Sequence, residues 1–513
     1  MKHSKSSLLS AISVSIVIAI LGGCNSNTQQ ETSTIDSPPV SPWYAQGQAA
    51  LQQRINDHQL VAQKPQTAKN VILFVGDGMG ISTLTAARIF VGQQQAEHQG
   101  GEEYNLSFEQ FPHLALVKTY NTDAQTPDSA GTMTAIMTGV KTYQGSIGIA
   151  PQAIRGDCLS AQQYPLTTAL ELAKQAGMSA GIVTTSRVTH ATPAATVAKA
   201  ATRSWENDRE LTKAGQANLG CKDIAAQLVE FDINHGLDVL LGGGKREFLD
   251  RSASDRYGYR RDGRNLIEEW YQARPQKRVW IEDAEQLRSF TPSIDQQIMG
   301  LFSRSHMSYD LQRPDNEPSL AEMTEKAIEV LAQNPQGYFL MVEGARIDHA
   351  HHSNQAGLAL AETQAFDLAV QKALSMTDDR ETLILVTADH SHVMTMGGYA
   401  GRGNSITGLV RDQQGQLQFS QDGKPYPTLM YANGPSADDN GERQAWYDEN
   451  IRKDSRYPSL VPLSSESHGA EDVALYAKGP GAHLVRGTLE QNVIFHIMDY
   501  AADLQNRAQL ATR

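Results

Sequence analysis

Cysteine is scarce: the 513-residue chain has three, at positions 24, 158 and 221. That excludes a disulfide-dense scaffold and any structural zinc site built mainly from thiolates. Basic residues are in deficit, 44 against 57 acidic, giving a formal net charge of −13, and no basic run occurs. Nucleic acid is therefore not an expected partner. Small anionic substrates stay open, because bound divalent cations reverse a local field. Internal repeats are missing as well. The apolar run Leu8–Leu21 is too short to span a bilayer comfortably.

What is there begins with a targeting pattern. Lys2, His3 and Lys5 precede that run, which ends in Leu21-Gly22-Gly23-Cys24. The pattern resembles the lipobox of bacterial lipoproteins, which implies cleavage after residue 23, acylation of Cys24 and anchoring in the cell envelope. A plain secretory signal with an incidental cysteine is the alternative. Residues 24–41, rich in Ser, Thr, Gln, Asn and Pro, have the composition of a flexible tether. Export implies an oxidising compartment, so Cys158 and Cys221 are a candidate disulfide, with two buried thiols as the alternative.

An amphipathic helix is expected over 43–60. The apolar run Val71–Val75 then reads as a buried parallel strand, ending in Gly76-Asp77-Gly78-Met79-Gly80. Further strands are expected at 180–185, 238–241, 339–342, 381–387 and 473–477, with helices at 166–176, 319–333 and about 353–374. This alternation predicts an α/β fold with a large, mostly parallel sheet covered on both faces, in one domain over 42–510. Residues 397–464, rich in Gly, Asn, Asp, Gln, Tyr and Pro, break the rhythm and read as an insertion on the sheet rim.

Ligands in such sheets bind beyond the carboxyl ends of the strands. Asp77, Glu343, Asp389 and His390 each follow or end a strand candidate, which gives one pocket edged with oxygen and imidazole ligands. Asp348 and His352 are four apart, one face of a helix, and suit one metal ion; a polar helix start is the plainer reading. Mixed Asp/His sets suit zinc, and carboxylates with a hydroxyl suit magnesium. In Pro127-Asp128-Ser129-Ala130, Ser129 stands at the start of a helix predicted over 130–138, where amides and the dipole favour an anion. Capping by Asp128 or Ser129 explains the same residues.

In this order the pieces resemble the alkaline phosphatase family across almost all of 43–505. The matching motifs are Val-Gly-Asp77-Gly-Met-Gly, Pro-Asp-Ser129-Ala-Gly-Thr, Val-Thr-His190-Ala-Thr192-Pro-Ala, Val-Glu343-Gly-Ala-Arg-Ile-Asp348-His, Thr-Ala-Asp389-His390-Ser-His and Glu466-Ser-His468. The resemblance implies a three-layer α/β sandwich in which 397–464 is a crown-like insertion over a homodimer interface, with Tyr399 reaching the partner's site. It implies a phosphomonoesterase whose nucleophile, Ser129, becomes phosphoserine. Asp348, His352 and His468 would hold one Zn2+, Asp77, Asp389, His390 and Ser129 a second, and Asp77, Thr192 and Glu343 one Mg2+. Arg203 would grip the phosphoryl group.

His190 and His349, substrate-binding positions by resemblance, are similar to the His/His pair of the animal enzymes, as is the Cys158/Cys221 pair. Ser303 stands where the animal enzymes have a glutamate in a calcium site, and the loop near 250–262 is shortened, so calcium is not expected. His392 is expected to orient a metal ligand and His351 to be a solvated helix residue. A phosphodiesterase or other hydrolase of the same superfamily is the alternative function. The Cys/Ser-x-Pro-x-Arg context of sulfatases is absent around Ser129.

Overall fold

Asn70–Gly76 form the strand β1, buried beyond its first residue, as an apolar run covered on both faces must be. Further strands are β2 (His113–Lys118), β3 (Ser179–Arg187), β4 (Val239–Gly243), β5 (Arg278–Ile281), β6 (Gln297–Leu301), β7 (Tyr338–Gly344) and β8 (Thr382–Thr387). Then come the short β9 (Ser391–His392), β10 (Met394–Met396), β11 (Leu429–Gly434), β12 (Ser459–Pro462) and β13 (His468–Gly469), followed by β14 (Val473–Lys478) and β15 (Gly487–Glu490). The computed structural model describes residues 67–95, 100–251, 258–437, 446–447 and 452–511. The signal segment 1–23, Cys24, the tether 24–41 and the helix expected over 43–60 lie outside them.

Ten strands make one sheet in the order β15-β2-β14-β8-β1-β7-β3-β4-β6-β5. Only β14 runs antiparallel to its neighbours, β8 and β2. The mostly parallel α/β sheet expected from the alternating pattern is therefore present. Its edge is longer than the apolar runs predict, since β2, β5, β6 and β15 were not expected.

Helices cover both faces. On one lie α1 (Ile81–Gly92), α3 (Leu320–Leu331) and α5 (Ala356–Met376); on the other lie α2 (Ser129–Thr138) and α6 (Val493–Ala502). The short helix α4 (Arg346–His352) leads directly out of β7. Asn354, at φ +53°, turns the chain between α4 and α5. Among the described residues no helix is long and apolar enough to cross a membrane.

Within 397–464, β11 and β12 pair with each other and, through β11, with β10 just before the segment, in the order β10-β11-β12. The two-residue ladder between β9 and β13 pairs His392 with His468 at its neck.

Cys158 and Cys221 form a disulfide, with Cα atoms 5.8 Å apart and 63 residues of sequence separation. Closing a loop of that length stabilises by about 4 kcal/mol in the chain-entropy picture. The double variant Cys158→Ser/Cys221→Ser is accordingly expected to unfold at lower urea, with a loss of about 2–4 kcal/mol. An unchanged midpoint would show that the crosslink does not hold this part of the fold.

Candidate active site

Three neighbouring strands, β8, β1 and β7, end at one level: Val75 pairs with Glu343 on one side and Thr387 on the other. The chain then delivers Asp389 and His390 from β8 and Asp77 from β1, while Glu343 is the penultimate residue of β7. All four are fully buried. Glycines make this crowding possible. Gly78 has φ +70°, and a Cβ there would come within 2.4 Å of the His392 ring; one on Gly80 would come within 1.9 Å of Ser391 Oγ. The Gly78 amide donates to Asp389 Oδ1 at 3.0 Å.

Ser129 begins α2, and Asp128 is its N-cap, accepting from the Gly131 amide at 3.1 Å. Asp128 also accepts from Gly145 N and from Arg203 Nη1 at 3.0 Å. Burial alone would raise the Asp128 carboxyl; Arg203 and the two amides outweigh it and hold the group below the usual carboxylate range. The cap therefore fixes Arg203 and leaves the Ser129 hydroxyl free. Its Oγ lies 3.2 Å from His390 Nε2.

Around Asp348 three groups converge. Its Oδ1 is 3.3 Å from His352 Nε2 and 3.4 Å from His468 Nε2, and the two nitrogens are 3.2 Å apart. His352 Nδ1 donates to the Glu466 carbonyl and His468 Nδ1 to the Pro127 carbonyl. With the ring protons committed there, both Nε2 lone pairs face each other and a carboxylate oxygen. Tetrahedral zinc with bonds of about 2.0–2.1 Å has ligand-to-ligand edges of about 3.3–3.4 Å. A cation of that kind fits.

His390 repeats the pattern. Its Nδ1 points to the Ser391 carbonyl, and its Nε2 lies 3.4 Å from Asp77 Oδ1 and 3.3 Å from Asp389 Oδ2. Both Asp77 oxygens, Asp389 Oδ2, Glu343 Oε1 and Thr192 Oγ1 are buried without a protein hydrogen-bond partner. Ligand atoms of Asp77, Glu343 and His190 lie within 4.8 Å of one another. The other Glu343 oxygen accepts from Thr184 and Ser186 hydroxyls. These orphaned oxygens fit a second zinc-like site and a harder, oxygen-lined site beside it.

Burial, then mutual repulsion, raises Asp77 well above the carboxylate range and Asp389 in the same direction. Burial pushes Glu343 up to about 7. Buried carboxylates this close need a cation or protons to be stable.

His392 is not solvent-facing: its Nε2 meets Asp348 Oδ1 at 2.6 Å, its Nδ1 meets Glu466, and it sits where an orienting group for a ligand would. His351 corrects an expectation. Instead of being solvated it is fully buried, bonded to Thr83 Oγ1 at 3.0 Å and to Tyr431 hydroxyl at 2.8 Å. Those partners come from α1 and from the rim insertion, so its own helix could not disclose them. Glu466 was visible only as part of a motif; its bonds to His392 and the Val393 amide give it a place.

His190 and His349 lie with ring centres 5.7 Å apart, and His190 Nε2 accepts from Arg203 at 3.1 Å. A third imidazole, His306, lies with its ring centre 4.1 Å from that of His349, the two planes tilted by 60°; nothing in its local sequence marks it.

Without bound cations, stability should depend on pH with a definite sign. Glu343 moves from 4.5 to about 7, the buried Glu362 of α5 from 4.5 to about 8, and His392 from 6.5 to about 10. Burial drives both glutamates up; burial alone would lower His392, but Glu466 and Asp348 raise it. Each group holds its proton more tightly folded than unfolded, so its contribution falls as pH rises between its two values. Burial shifts His190, His306, His349, His351 and His390 the other way, which adds nothing above 6.5, while His352, raised by Asp348 against its burial, acts in the same sense as His392. Metal-free protein is thus expected to lose thermal stability from about pH 6.5 to about pH 9. Zinc and magnesium should remove the Glu343 share and leave that of Glu362. A melting temperature that rises over this interval contradicts the assignment.

Comparison with known proteins agrees with this geometry. The family model for alkaline phosphatase matches residues 68–504. The chain is 42% identical over 503 residues to the tissue-nonspecific alkaline phosphatase isozyme of Rattus norvegicus, covering 95% of this chain and 92% of the rat protein. It is 44% identical over 460 residues to the alkaline phosphatase of Gadus morhua, covering 86% and 93%. Among solved structures, Thermus thermophilus alkaline phosphatase superposes with a TM-score of 0.61 at 24% identity, over 88% of this chain and 97% of that one. With the fold, the metal-binding cradle and full-length likeness in agreement, the chain belongs to the alkaline phosphatase family of phosphoric monoester hydrolases.

Proposed function

We propose that the chain hydrolyses phosphate monoesters to an alcohol and inorganic phosphate through a phosphoserine on Ser129, with two zinc ions and one magnesium ion per subunit. The observation that carries this reading is the setting of Ser129 Oγ. It stands at a helix start 3.2 Å from His390 Nε2, beside the Asp128–Arg203 pair. Asp348, His352 and His468 would hold one zinc, and Asp77, Asp389, His390 and Ser129 the other. Asp77, Thr192 and Glu343 would hold magnesium. Bound there, the cations would supply Lewis acidity, lowering the pKa of hydroxyl and water ligands and neutralising phosphoryl oxygens.

The remaining work belongs to the chain. Arg203, held by Asp128 and His190, turns its other N–H groups to two phosphoryl oxygens. The first amides and the dipole of α2 add positive potential at the same place. Ser129 gives its hydroxyl proton to solvent as Oγ attacks phosphorus, the ester P–O bond breaks in line, and the departing oxygen takes a proton from water. A water oxygen then attacks the phosphoserine, the Oγ–P bond breaks, and Ser129 regains its proton. Two in-line displacements retain configuration at phosphorus. His190 and His349 line the open side of the phosphate position and would contact substrate.

We also infer a homodimer built on the 397–464 insertion. There Tyr399 is 97% exposed at φ +48°, and Leu460, Val461 and Phe419 are exposed as well. Light scattering at micromolar concentration should give a dimer mass; a monomer alone refutes it. Envelope anchoring through acylated Cys24 rests on the sequence pattern, and Cys24→Ser should release the protein from membranes.

Ser129→Ala is expected to lower turnover of an aryl phosphate by at least about 10³-fold with zinc content unchanged, and Arg203→Ala by about 10²-fold or more. Wild-type turnover in Ser129→Ala would remove the assigned nucleophile. The aryl monoester should be preferred to the corresponding diester and sulfate ester, and faster diester cleavage would favour a phosphodiesterase instead. Chelation should abolish turnover, with zinc and magnesium together restoring it.

A further inference from the structure

Three arginines each donate to one imidazole beside the site: Arg203 to His190, Arg346 to His349, and Arg187 to His306. A guanidinium has no acceptor, so the receiving nitrogen carries a lone pair and the proton sits on the other one. In His306 the receiving atom is Nε2, which leaves Nδ1 as the N–H donor. That atom is buried without a partner. Arg346 Nε is buried and unpartnered too. His349 lies between them, its Nδ1 3.0 Å from Arg346 Nη1 and its ring 4.1 Å from that of His306. His190 Nδ1 is likewise buried without a partner, but a ring nitrogen of His190 lies within 4.8 Å of carboxylate oxygens of Asp77 and Glu343 that can accept from it; the His306 and Arg346 donors are not explained in that way.

The platform is rigid. Ser303 O accepts from the Gly244 and Lys245 amides at 3.1 Å, Arg304 O from Arg246 N at 3.2 Å, and Met307 N donates to Thr185 O at 3.0 Å. Arg187 is held by both oxygens of Glu206 at 2.7 Å. The Arg346 guanidinium lies over the Tyr309 ring at 3.8 Å. Of the carboxylates nearby, Glu206 is paired with Arg187 and Glu247 with Arg246, Glu362 accepts from the Asp310 amide and Asp348 from His392. Arg346 has no ion-pair partner among the described residues. Burial first, then the neighbouring His349 and the charges of Arg187, Arg346 and Arg246, keep His306 neutral and a donor. Unmet N–H groups call for an acceptor, and a guanidinium without an ion-pair partner selects an anionic one.

We propose that His306, His349 and Arg346 form a second anion subsite, next to the reacting phosphoryl, which binds an anionic group on the substrate's leaving alcohol. The ligand chemistry is a carboxylate or a second phosphate carried by the monoester. The inference rests on the phosphomonoesterase reading and extends it to substrate class.

The experiment measures kcat/KM at low ionic strength for phenyl phosphate, carboxyphenyl phosphates and a short alkanediol bisphosphate. Wild-type enzyme should favour at least one anionic probe over phenyl phosphate, although the chain's net charge of −13 opposes it. Whichever probe gains identifies the anion. His306→Phe, which keeps a ring for stacking but no N–H, should cut the anionic-to-phenyl ratio by about ten-fold, the worth of one charge-assisted hydrogen bond. His306→Gln, which keeps a donor, should retain most of the ratio. A wild-type ratio of one or less for every anionic probe overturns the subsite, whether or not the variants fold. So does an undiminished ratio in His306→Phe. Failure of wild-type enzyme to turn over phenyl phosphate at all defeats the phosphomonoesterase reading itself, and the subsite with it.

Discussion

At one end of the sheet, lone pairs face lone pairs. His352 and His468 turn their unprotonated nitrogens toward each other and toward Asp348, and His390 does the same toward Asp77 and Asp389. Main-chain carbonyls remove the freedom to relieve this by moving a ring proton. Such an arrangement is held against repulsion and desolvation by the covalent and packed frame around it. The level ends of β8, β1 and β7, the side-chain-free turn after β1 and the short helix α4 all serve that one requirement. The sheet supplies rigidity, and the cation chemistry supplies the stabilisation that the frame lacks.

The positive groups are placed with equal economy. An arginine beside each mouth imidazole fixes which nitrogen carries hydrogen without any carboxylate on the ring. Neutral, oriented donors line the entrance, while formal positive charge is kept a bond further back, on guanidiniums that cannot lose it. An acidic protein thereby offers an entrance suited to anions, and the field there is set by a handful of side chains rather than by net charge.

Legibility from sequence followed burial. β1, β7 and β8 are uninterrupted apolar runs because helices cover both their faces. β2 alternates exposed and buried residues, and β15 is largely exposed, so neither produces such a run. β6 is wholly buried, yet Gln297 and Gly300 interrupt its pattern. Among site residues, those at strand ends were readable from position, and those in the resembling motifs from order. His351 and His306 were not. Each is defined by partners from remote segments, Tyr431 and Thr83 for one and Arg187 and His349 for the other. Asp128 was readable as a cap, but its hold on Arg203 spans 75 residues and appears only in three dimensions.

The β9–β13 ladder is a clasp. His392 and Glu466, 74 residues apart, are brought together there, and His468 follows on the opposing strand. The described residues between them leave and return through this neck. The ladder, rather than the length of the segment between its strands, therefore sets where His468 stands. The same clasp sets an order of events during folding: His468 cannot join Asp348 and His352 until that long loop has closed.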